Sequence, residues 1–350
     1  MTKGYLHLST GDVFEGELLG ATGKQAGEVV FTTSMTGYQE TLTDPSYAGQ
    51  VLTFCYPMVG NYGLLETANE STRPAVAGIV TGEMWDPEGS FSTLLMKWEI
   101  PGLSGIDTRA LVKTIRQHNT VTGIISDTAS LSHPWKTENS LSLVHQVSVT
   151  SAKTYGEGNP HVVMMDYGYK KSILDSLLKR GCKVTVVPFT TTLNEMKELC
   201  PDAVVFSNGP GDPKALEPYF TQIKKISESW PAFGICFGHQ LIALAYGGST
   251  EKQLNGHRGS NHPVKEMVSG KVRMTSQNHG YVVKNDYLPS DFHVTYKNVN
   301  DGTVEGIRHN TLPVQSVQFH PEAHPGPSDT DYLFDDFIKQ TVAAGGKLYA

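Results

Sequence analysis

The sequence predicts an α/β protein of two domains, and three features of the chain lead to this prediction. Its 350 residues exceed the usual size of one domain. The first part contains short strands separated by turn residues, whereas strands and helices alternate from His161 onward. A stretch rich in Ser, Thr and Gly separates the two patterns. We therefore predict a strand-rich N-terminal α/β domain over residues 1–150, a linker over 151–160, and a mostly parallel α/β domain over 161–345.

The N-terminal domain is predicted from strand and hairpin patterns. The turn residues Thr10-Gly11-Asp12 lie between two apolar runs, which is a hairpin signal. The predicted strands cover residues 5–8, 13–18, 28–33 and 50–56. A helix is predicted over residues 107–116, with Asp107 or Thr108 as its N-cap. We find no catalytic constellation in this half of the chain.

The second domain begins with an unbroken apolar run at residues 161–166, the pattern of a strand buried on both faces of a parallel sheet. The elements predicted after it are a helix over 170–180, a strand over 183–188, a helix over 193–199 and a strand over 203–207. The last strand runs into Asn208-Gly209-Pro210-Gly211. Because ligands bind beyond the carboxyl ends of such strands, Gly209 and Gly211 are candidate ligand-binding residues.

The pattern Gly-x-Cys-x-Gly at residues 234–238 joins a predicted short strand to a predicted helix. This is the nucleophile-elbow pattern, with the sulfur of Cys236 in place of a serine hydroxyl. A Cβ atom at Gly234 or Gly238 would collide with a neighbouring element at so sharp a turn. A helix N-terminus favours a thiolate, and the N–H of Phe237 can point at an oxyanion. The alternative is an inert core thiol, so the catalytic interpretation requires a base.

A candidate base follows the strand predicted over residues 314–319. His320 lies at its end, Pro321 favours an extended backbone at His320, and Glu322 can lie on the same side. A thiol needs a base for its proton, and an imidazole needs a carboxylate to hold its tautomer. A single histidine after a strand is usually structural. The elbow together with His-x-Glu predicts a Cys236–His320–Glu322 triad.

Composition argues against several classes of function. The net charge is −7 without a basic stretch, so we expect no nucleic-acid partner. There is no N-terminal apolar segment and no apolar run near the ~18 residues of a membrane span. The four cysteines form no C-x-x-C pair, which predicts free thiols and a cytoplasmic protein. No histidine lies in a His-Glu-x-x-His pattern, so we predict hydrogen-bonding roles and no metal for His239, His257, His262 and His279.

Four motifs together resemble class I (triad-type) glutamine amidotransferase domains. They are Gly-Ile-Cys-Phe-Gly-His-Gln, Ser-Asn-Gly-Pro-Gly-Asp-Pro, Gln-Asn-His-Gly-Tyr and His-Pro-Glu-Ala. All four motifs lie in the second half of the chain. That half alone implies glutamine hydrolysis but does not identify the product that the ammonia is used to make. Residues 27–47 and 105–111 resemble the N-terminal domain of carbamoyl-phosphate synthase small chains. The resemblance covers essentially the whole chain.

The resemblance implies that Cys236 attacks the side-chain amide of L-glutamine, that His320 transfers protons and that Glu322 orients His320. A γ-glutamyl thioester forms, ammonia leaves, and water releases glutamate. The residues that the resemblance assigns to the glutamine pocket are Ser46, Gly209, Gly211, Phe237, Gln240, Asn278, Gly280 and Tyr281, with Ser46 coming from the first domain.

Two positions depart from the usual family pattern. Phe237 stands where Leu is common, and Tyr281 stands where Phe is common. Phe237 should act through its backbone, so its expected role is unaffected. The hydroxyl of Tyr281 needs a partner or a water molecule, which leaves the local shape of the pocket open.

No phosphate loop or ATP site is evident in the sequence, so we expect no cofactor in this chain. The resemblance implies a large partner chain that binds ATP, its metal ions and bicarbonate, in a heterodimer or a multimer of heterodimers. The first domain is then a docking surface. Carbamoyl phosphate would serve arginine synthesis, pyrimidine synthesis or both.

Three alternatives compete with this interpretation. The first is an amidotransferase subunit of another synthase, such as one making guanylate or anthranilate, and the first-domain resemblance argues against it. The second is a non-catalytic regulatory protein, which the presence of Cys236, His320 and Glu322 argues against. The third is a peptide-cleaving cysteine hydrolase, which would act without a partner.

Overall fold

The computed structural model describes residues 2–22, 25–118, 120–131 and 135–345. The chain divides into two compact units, Met1–Asn139 and Ser140–Ala350. The strands of the first unit are β1 (Lys3–Leu8), β2 (Val13–Gly20), β3 (Gly27–Thr32), β4 (Gln50–Phe54), β5 (Gly78–Thr81), β6 (Pro101–Ser104) and β7 (Thr122–Ser126). Its α-helices are α1 (Tyr38–Thr43), α2 (Ser90–Lys97) and α3 (Thr108–Gln117), and short 3-10 turns cover Pro45–Tyr47 and Glu66–Ala68.

The strands of the first unit form a closed barrel in the order β1-β2-β6-β5-β4-β3-β7, with β7 pairing back onto β1. Strands β3, β4, β5 and β6 run parallel to one another, and the other pairings are antiparallel. The predicted hairpin and helix are confirmed, and the Asp107 carboxylate caps α3 by accepting from the N–H of Ala110. Closure of the barrel was not predicted.

Neighbouring side chains on the barrel strands enter two different cores. Val29 and Val51 belong to a cluster that includes Leu111 of α3, whereas Val30 and Leu52 belong to a cluster with α1 and α2. Adjacent residues of one strand enter different clusters because successive side chains of a strand point to opposite faces of the sheet.

The second unit contains one large sheet and its covering helices. Its strands are β8 (Lys153–Tyr155), β9 (His161–Asp166), β10 (Lys183–Pro188), β11 (Ala203–Phe206), β12 (Ala232–Ile235), β13 (Thr250–Glu266), β14 (Val272–Val283), β15 (Phe292–Asn298), β16 (Val304–His309) and β17 (Val314–Val317). Its α-helices are α4 (Ser140–Val147), α5 (Lys171–Lys179), α6 (Leu193–Leu199), α7 (Phe220–Ser229), α8 (Phe237–Ala245) and α9 (Tyr332–Ala343), and 3-10 turns cover Pro213–Tyr219 and Asn285–Tyr287.

The large sheet has ten strands in the order β14-β13-β15-β16-β17-β12-β11-β9-β10-β8. Strands β17, β12, β11, β9 and β10 run parallel to one another. The remaining pairings are antiparallel, so the prediction of a mostly parallel sheet holds for only half of it. The antiparallel half contains the long hairpin β13–β14, whose polar, intermittently buried residues lack the unbroken apolar run that indicates a parallel strand.

The division between the units precedes the predicted boundary near residue 150. Helix α4 begins at Ser140, whose Oγ accepts from the N–H of Asp212 at 2.9 Å. Strand β8 lies within the predicted linker and pairs with β10, with Tyr155 opposite Val184. The predicted linker is therefore partly an edge of the sheet, a role that its polar composition concealed.

Helices cover both faces of the parallel half. On β9, Val163 and Met165 pack with residues of α6, α7 and α8, whereas Val162 and Met164 pack with residues of α5 and α9. All four side chains are fully buried, which confirms the prediction from the apolar run. Within the described ranges, no helix combines the length and apolar character needed to cross a bilayer.

Candidate active site

Cys236 stands at the sharp turn between β12 and α8. Its backbone has φ 53° and ψ −99°, a conformation that residues other than glycine rarely adopt and that stores strain. Two hydrogen bonds hold the turn: the N–H of Cys236 donates to Val317 O at 2.8 Å, and its carbonyl accepts from the N–H of Gln240 at 3.2 Å. The turn presents the sulfur at the carboxyl edge of the parallel strands.

The two glycines of the elbow are required by close packing. A Cβ at Gly238 would lie 2.1 Å from Phe206 O on β11, and a Cβ at Gly234 would lie 2.8 Å from Gly238 O. The N–H of Gly238 also donates to Ser207 O at 3.0 Å, so α8 cannot move away without losing this bond. The collisions predicted at both glycines are therefore confirmed.

We expect Gly238→Ala to destabilise the fold and to move the sulfur. The added methyl group forces α8 away from β11, and overpacking of this kind costs about 1–3 kcal/mol of unfolding free energy. Urea unfolding measures the loss. Gly82→Ala is the matched control, because its new Cβ would approach no atom closer than 3.5 Å. Equal urea midpoints for the two variants would contradict the prediction.

His320 and Glu322 form a buried pair beside Cys236. His320 Nδ1 lies 2.6 Å from Glu322 Oε1, and both side chains are almost completely buried. The N–H of His320 donates to Ser276 O at 2.9 Å, which holds the segment after β17 against β14. His320 Nε2 makes no conventional hydrogen bond among the described residues, and it is the nitrogen left to interact with Cys236 because Glu322 occupies Nδ1.

The charges around His320 favour its protonated form. Burial by itself would lower the pKa of His320, but the negative charges of Glu322 and Cys236 outweigh it and raise this pKa to about 10. Burial would raise the pKa of Glu322, but Lys170 and then His320 lower it to about 2. Glu322 is therefore ionised and can hold the Nδ1–H tautomer of His320.

The sequence did not indicate the role of Lys170, which lies at the start of α5. Its Nζ lies 3.2 Å from Glu322 Oε1 and donates to Ala323 O at 2.5 Å. The Lys170 side chain is only 3% exposed, so the ammonium group and the carboxylate neutralise each other in the interior. The available signal was position, since Lys170 follows the carboxyl end of β9, at the edge where such sheets carry their sites.

Several residues of the predicted glutamine pocket lie around this group. Asn278 O lies 3.6 Å from Cys236 Sγ, and the Gln240 amide donates to Tyr281 O at 2.7 Å. Phe237 is the first residue of α8, where a helix leaves its backbone N–H without an intrahelical acceptor. The structure thereby brings β14 and α8 to the nucleophile.

Gly209 and Gly211 follow β11, which neighbours β12 in the sheet. A Cβ at Gly209 would lie 2.5 Å from Tyr167 O, and Gly211 has a φ of 84°. Gly280 lies on β14 beside Arg258, whose Nη2 would be 3.1 Å from an added Cβ. Ser46 lies in the first unit, where its N–H donates to Asp44 Oδ1. The pocket roles of these four residues, like those of Phe237, Gln240, Asn278 and Tyr281, remain predictions.

Gln318 is a further residue that sequence reasoning missed. Its Nε2 donates to Cys236 Sγ at 3.6 Å, and its Oε1 accepts from Gln240 Nε2 at 3.1 Å. Gln318 lies two residues before His320, so the available signal was its closeness in sequence to the His-Pro-Glu motif.

A buried polar cluster lies under the β13–β14 hairpin. Potential ligand atoms of His257, His279 and Glu305 lie within 4.8 Å of one another. The His279 nitrogens lie 2.9 Å from Tyr281 O and 2.9 Å from Gln277 Oε1. Gln277 Nε2 in turn donates to Glu305 Oε2 at 3.1 Å. Because protein groups already occupy both nitrogens of His279, this cluster is better described as a hydrogen-bond network, and the expectation of no metal remains a prediction.

His239 is a fully buried neutral histidine on α8. Its Nδ1 lies 2.9 Å from Ser316 Oγ on β17. Burial lowers the pKa of His239 to about 3, whereas an unfolded chain has a histidine pKa of about 6.5. The unfolded chain therefore binds a proton that the folded chain excludes, and stability falls as the pH drops below about 6.5.

We expect His239→Gln to reduce this acid sensitivity. The contribution of neutral His239 to the free energy of unfolding is fully present above pH ~6.5. It is lost at about 1.4 kcal/mol per pH unit as the pH falls towards ~3. The free energy of unfolding of the variant, minus that of the wild type, should therefore rise by roughly 1 kcal/mol between neutral pH and pH ~5.5. Urea unfolding of both proteins at the two pH values measures this difference in unfolding free energy. A difference that does not change with pH would contradict the prediction.

The elbow, the Cys–His–Glu arrangement and the helix-covered sheet together define a glutamine amidotransferase domain of class I. Residues 163–340 match the family described as "Glutamine amidotransferase class-I". Residues 6–125 match "Carbamoyl-phosphate synthase small chain, CPSase domain". The chain therefore belongs to the family of carbamoyl-phosphate synthase small chains, the glutamine-hydrolysing subunits of that synthase.

Full-length relatives agree with both matches. The chain is 47% identical to the "Carbamoyl phosphate synthase arginine-specific small chain" of Halalkalibacterium halodurans, over 99% of this chain and 100% of that protein. It is 49% identical to the arginine-specific small chain of Geobacillus stearothermophilus, over 99% of this chain and 100% of that protein. It is also 49% identical to the "Carbamoyl phosphate synthase small chain" of Listeria monocytogenes, over 97% of each chain.

Proposed function

We propose that Cys236, His320 and Glu322 hydrolyse L-glutamine in this chain and that the ammonia passes to a large partner chain. The observation that carries the proposal is the buried His320–Glu322 pair at 2.6 Å beside a cysteine at a strained elbow. A buried carboxylate that holds an imidazole next to a thiol is the arrangement required for nucleophilic catalysis by sulfur.

The first half of the reaction forms the thioester. The raised pKa of His320 keeps the Cys236 proton on its Nε2, and the thiolate attacks the side-chain carbonyl carbon of glutamine. The N–H of Phe237 and the backbone after β11 at Gly209 and Gly211 stabilise the oxyanion. The imidazolium then protonates the amide nitrogen, the C–N bond breaks, and ammonia leaves a γ-glutamyl thioester.

The second half of the reaction restores the enzyme. His320 takes a proton from water, the hydroxide attacks the thioester carbonyl, and the C–S bond breaks to release glutamate and the thiolate. Throughout, Glu322 accepts the Nδ1–H of His320 and stabilises the imidazolium. Substrate contacts come from Ser46, Gln240, Asn278, Gly280 and Tyr281.

The partner is a carbamoyl-phosphate synthase large chain that binds ATP, its metal ions and bicarbonate. Direct passage of ammonia is chemically favourable, because only the unprotonated molecule is nucleophilic and release into water would mostly protonate it. The first unit is the docking surface in a heterodimer or a multimer of heterodimers. The carbamoyl phosphate serves arginine synthesis, pyrimidine synthesis or both.

Isolation of the chain with its native partner tests this proposal. The complex should contain a much larger ATP-binding chain and should make carbamoyl phosphate from glutamine, bicarbonate and ATP. Co-purification with a different synthase would overturn the choice of product. Turnover of glutamine by a chain that retains no partner would overturn the role as a subunit.

A further inference from the structure

The side chain of Gln318 connects the sulfur of Cys236 to the glutamine pocket. Gln318 is fully buried, between the end of β17 and His320. Its Nε2 lies 3.6 Å from Cys236 Sγ, and its Oε1 lies 3.1 Å from Gln240 Nε2. One amide group therefore contacts both the nucleophile and a residue assigned to the substrate pocket.

The hydrogen bonds around Gln240 determine which end of the Gln318 amide faces the sulfur. Gln240 Nε2 lies 2.7 Å from the carbonyl oxygen of Tyr281, which can only accept a hydrogen bond. The same Nε2 therefore meets an oxygen on Gln318, which leaves the Gln318 NH₂ group directed at Cys236. The backbone is held as well, because the N–H of Gln318 donates to Glu305 O at 2.9 Å.

A donor at this place acts on one charge state of the sulfur. An N–H group binds an ionised acceptor more strongly than a neutral one, so the thiolate gains more than the thiol or the thioester. The thiolate exists before the attack on glutamine and again when the C–S bond breaks. The same contact thus favours formation of the nucleophile and its departure from the tetrahedral intermediate.

We propose that Gln318 is a positioning residue that stabilises the Cys236 thiolate and couples it to Gln240. The proposal rests on the role of Cys236 as nucleophile given above. A purely structural Gln318 would fill space between β17 and α8 without altering the chemistry of the sulfur. The two roles differ in their effect on the pH dependence of thiol reactivity.

The test is the rate of iodoacetamide alkylation of Cys236 against pH, followed by mass spectrometry of the Cys236 peptide in the native complex. Reading that peptide separates Cys236 from the exposed Cys200 and the partly buried Cys55. Gln318→Met keeps the length of the side chain and removes the donor. We expect its alkylation midpoint to rise by roughly one pH unit, the shift for losing one hydrogen bond to a charged group.

Gln318→Glu is a second, independent test of the hydrogen bond from Gln318 to the Cys236 sulfur. It retains an oxygen for Gln240 but places a carboxylate where the donor was, so its alkylation midpoint should rise further than that of Gln318→Met. The KM for glutamine should rise in Gln318→Met, where Gln240 loses its acceptor, and should change less in Gln318→Glu. Gln318→Glu also provides the comparison if Gln318→Met fails to fold.

Gln315→Met is the matched control, because Gln315 lies on β17 and its Nε2 has no hydrogen-bond partner within the described residues. Its midpoint and its KM should equal those of the wild type. Wild-type midpoints in both folded Gln318 variants would overturn the inference. Absence of a glutamine-derived thioester on wild-type Cys236 would instead overturn the proposed function, so the two failures are distinguishable.

Discussion

Replacement of Cys236 by alanine is expected to reduce glutamine-dependent ammonia release by at least ~10³-fold, the usual consequence of removing a catalytic nucleophile. No other group at the elbow can form the thioester. Synthesis of carbamoyl phosphate from added ammonia by the complex should be retained, because that route bypasses the thiol. Glutamate release and carbamoyl phosphate formation, measured with each nitrogen source, test both parts.

Cys182→Ala is the matched control for this experiment. Cys182 is also buried in the second unit, and burial raises its pKa to about 11, which leaves it as an inert thiol. Its replacement should leave glutamine turnover within a factor of about two, because Cys182 precedes β10 at the amino edge of the parallel strands, whereas the elbow lies at their carboxyl edge. Full glutaminase activity in Cys236→Ala, or equal losses in the two variants, would disprove the assignment of Cys236.

Replacement of Lys170 by methionine is expected to lower the free energy of unfolding by about 3–5 kcal/mol, because it removes the ammonium partner of the buried Glu322 carboxylate and leaves only His320 beside it. Lys170 is the largest of the influences that lower the pKa of Glu322. The stability that ionised Glu322 contributes is present above pH ~4.5 and is lost as the pH falls through its folded pKa. In the variant that pKa rises, so this stability should be lost at a higher pH.

The neighbouring residue provides the matched control. Lys171 is 53% exposed and pairs with Asp175 one turn further along α5. Loss of an exposed pair of this kind changes stability by less than ~1 kcal/mol, so Lys171→Met should unfold almost like the wild type. Urea unfolding of both variants between neutral pH and pH ~4 measures the effect. Equal midpoints would mean that Lys170 does not stabilise the buried carboxylate.

The features predicted correctly from the sequence depend on local patterns. The apolar run of β9 indicated a strand buried on both faces, because the identity of each side chain there reflects its own burial. The spacing Gly-x-Cys-x-Gly indicated the elbow, since a turn that brings Gly238 against β11 leaves no room for a Cβ. The pair His320–Glu322 was predicted because only Pro321 separates the two residues, although the structure places Pro321 and Glu322 in a turn closed by the N–H of Ala323 donating to His320 O, where an extended segment was predicted.

The sequence did not predict the antiparallel half of the sheet, because that half has no local pattern of this kind. Strands β13 and β14 carry polar residues whose burial alternates irregularly, so no hydrophobic period marks them. Their pairing, with His257 opposite His279, depends on contacts across the hairpin. Strand β8 is short and polar, and only its hydrogen bonds to β10 make it part of the sheet.

The sequence by itself therefore determined the two-domain α/β class, the elbow, the Cys236–His320–Glu322 candidates and, through its motifs, the family. Only the tertiary structure decided which other side chains meet that triad. Lys170 reaches Glu322, and Gln318 reaches Cys236, because parallel strands bring distant segments to one edge of the sheet. Sequence patterns reflect the burial and the backbone conformation of each segment by itself. These contacts join segments that are far apart in the sequence or that follow no common pattern, so only the folded structure shows them.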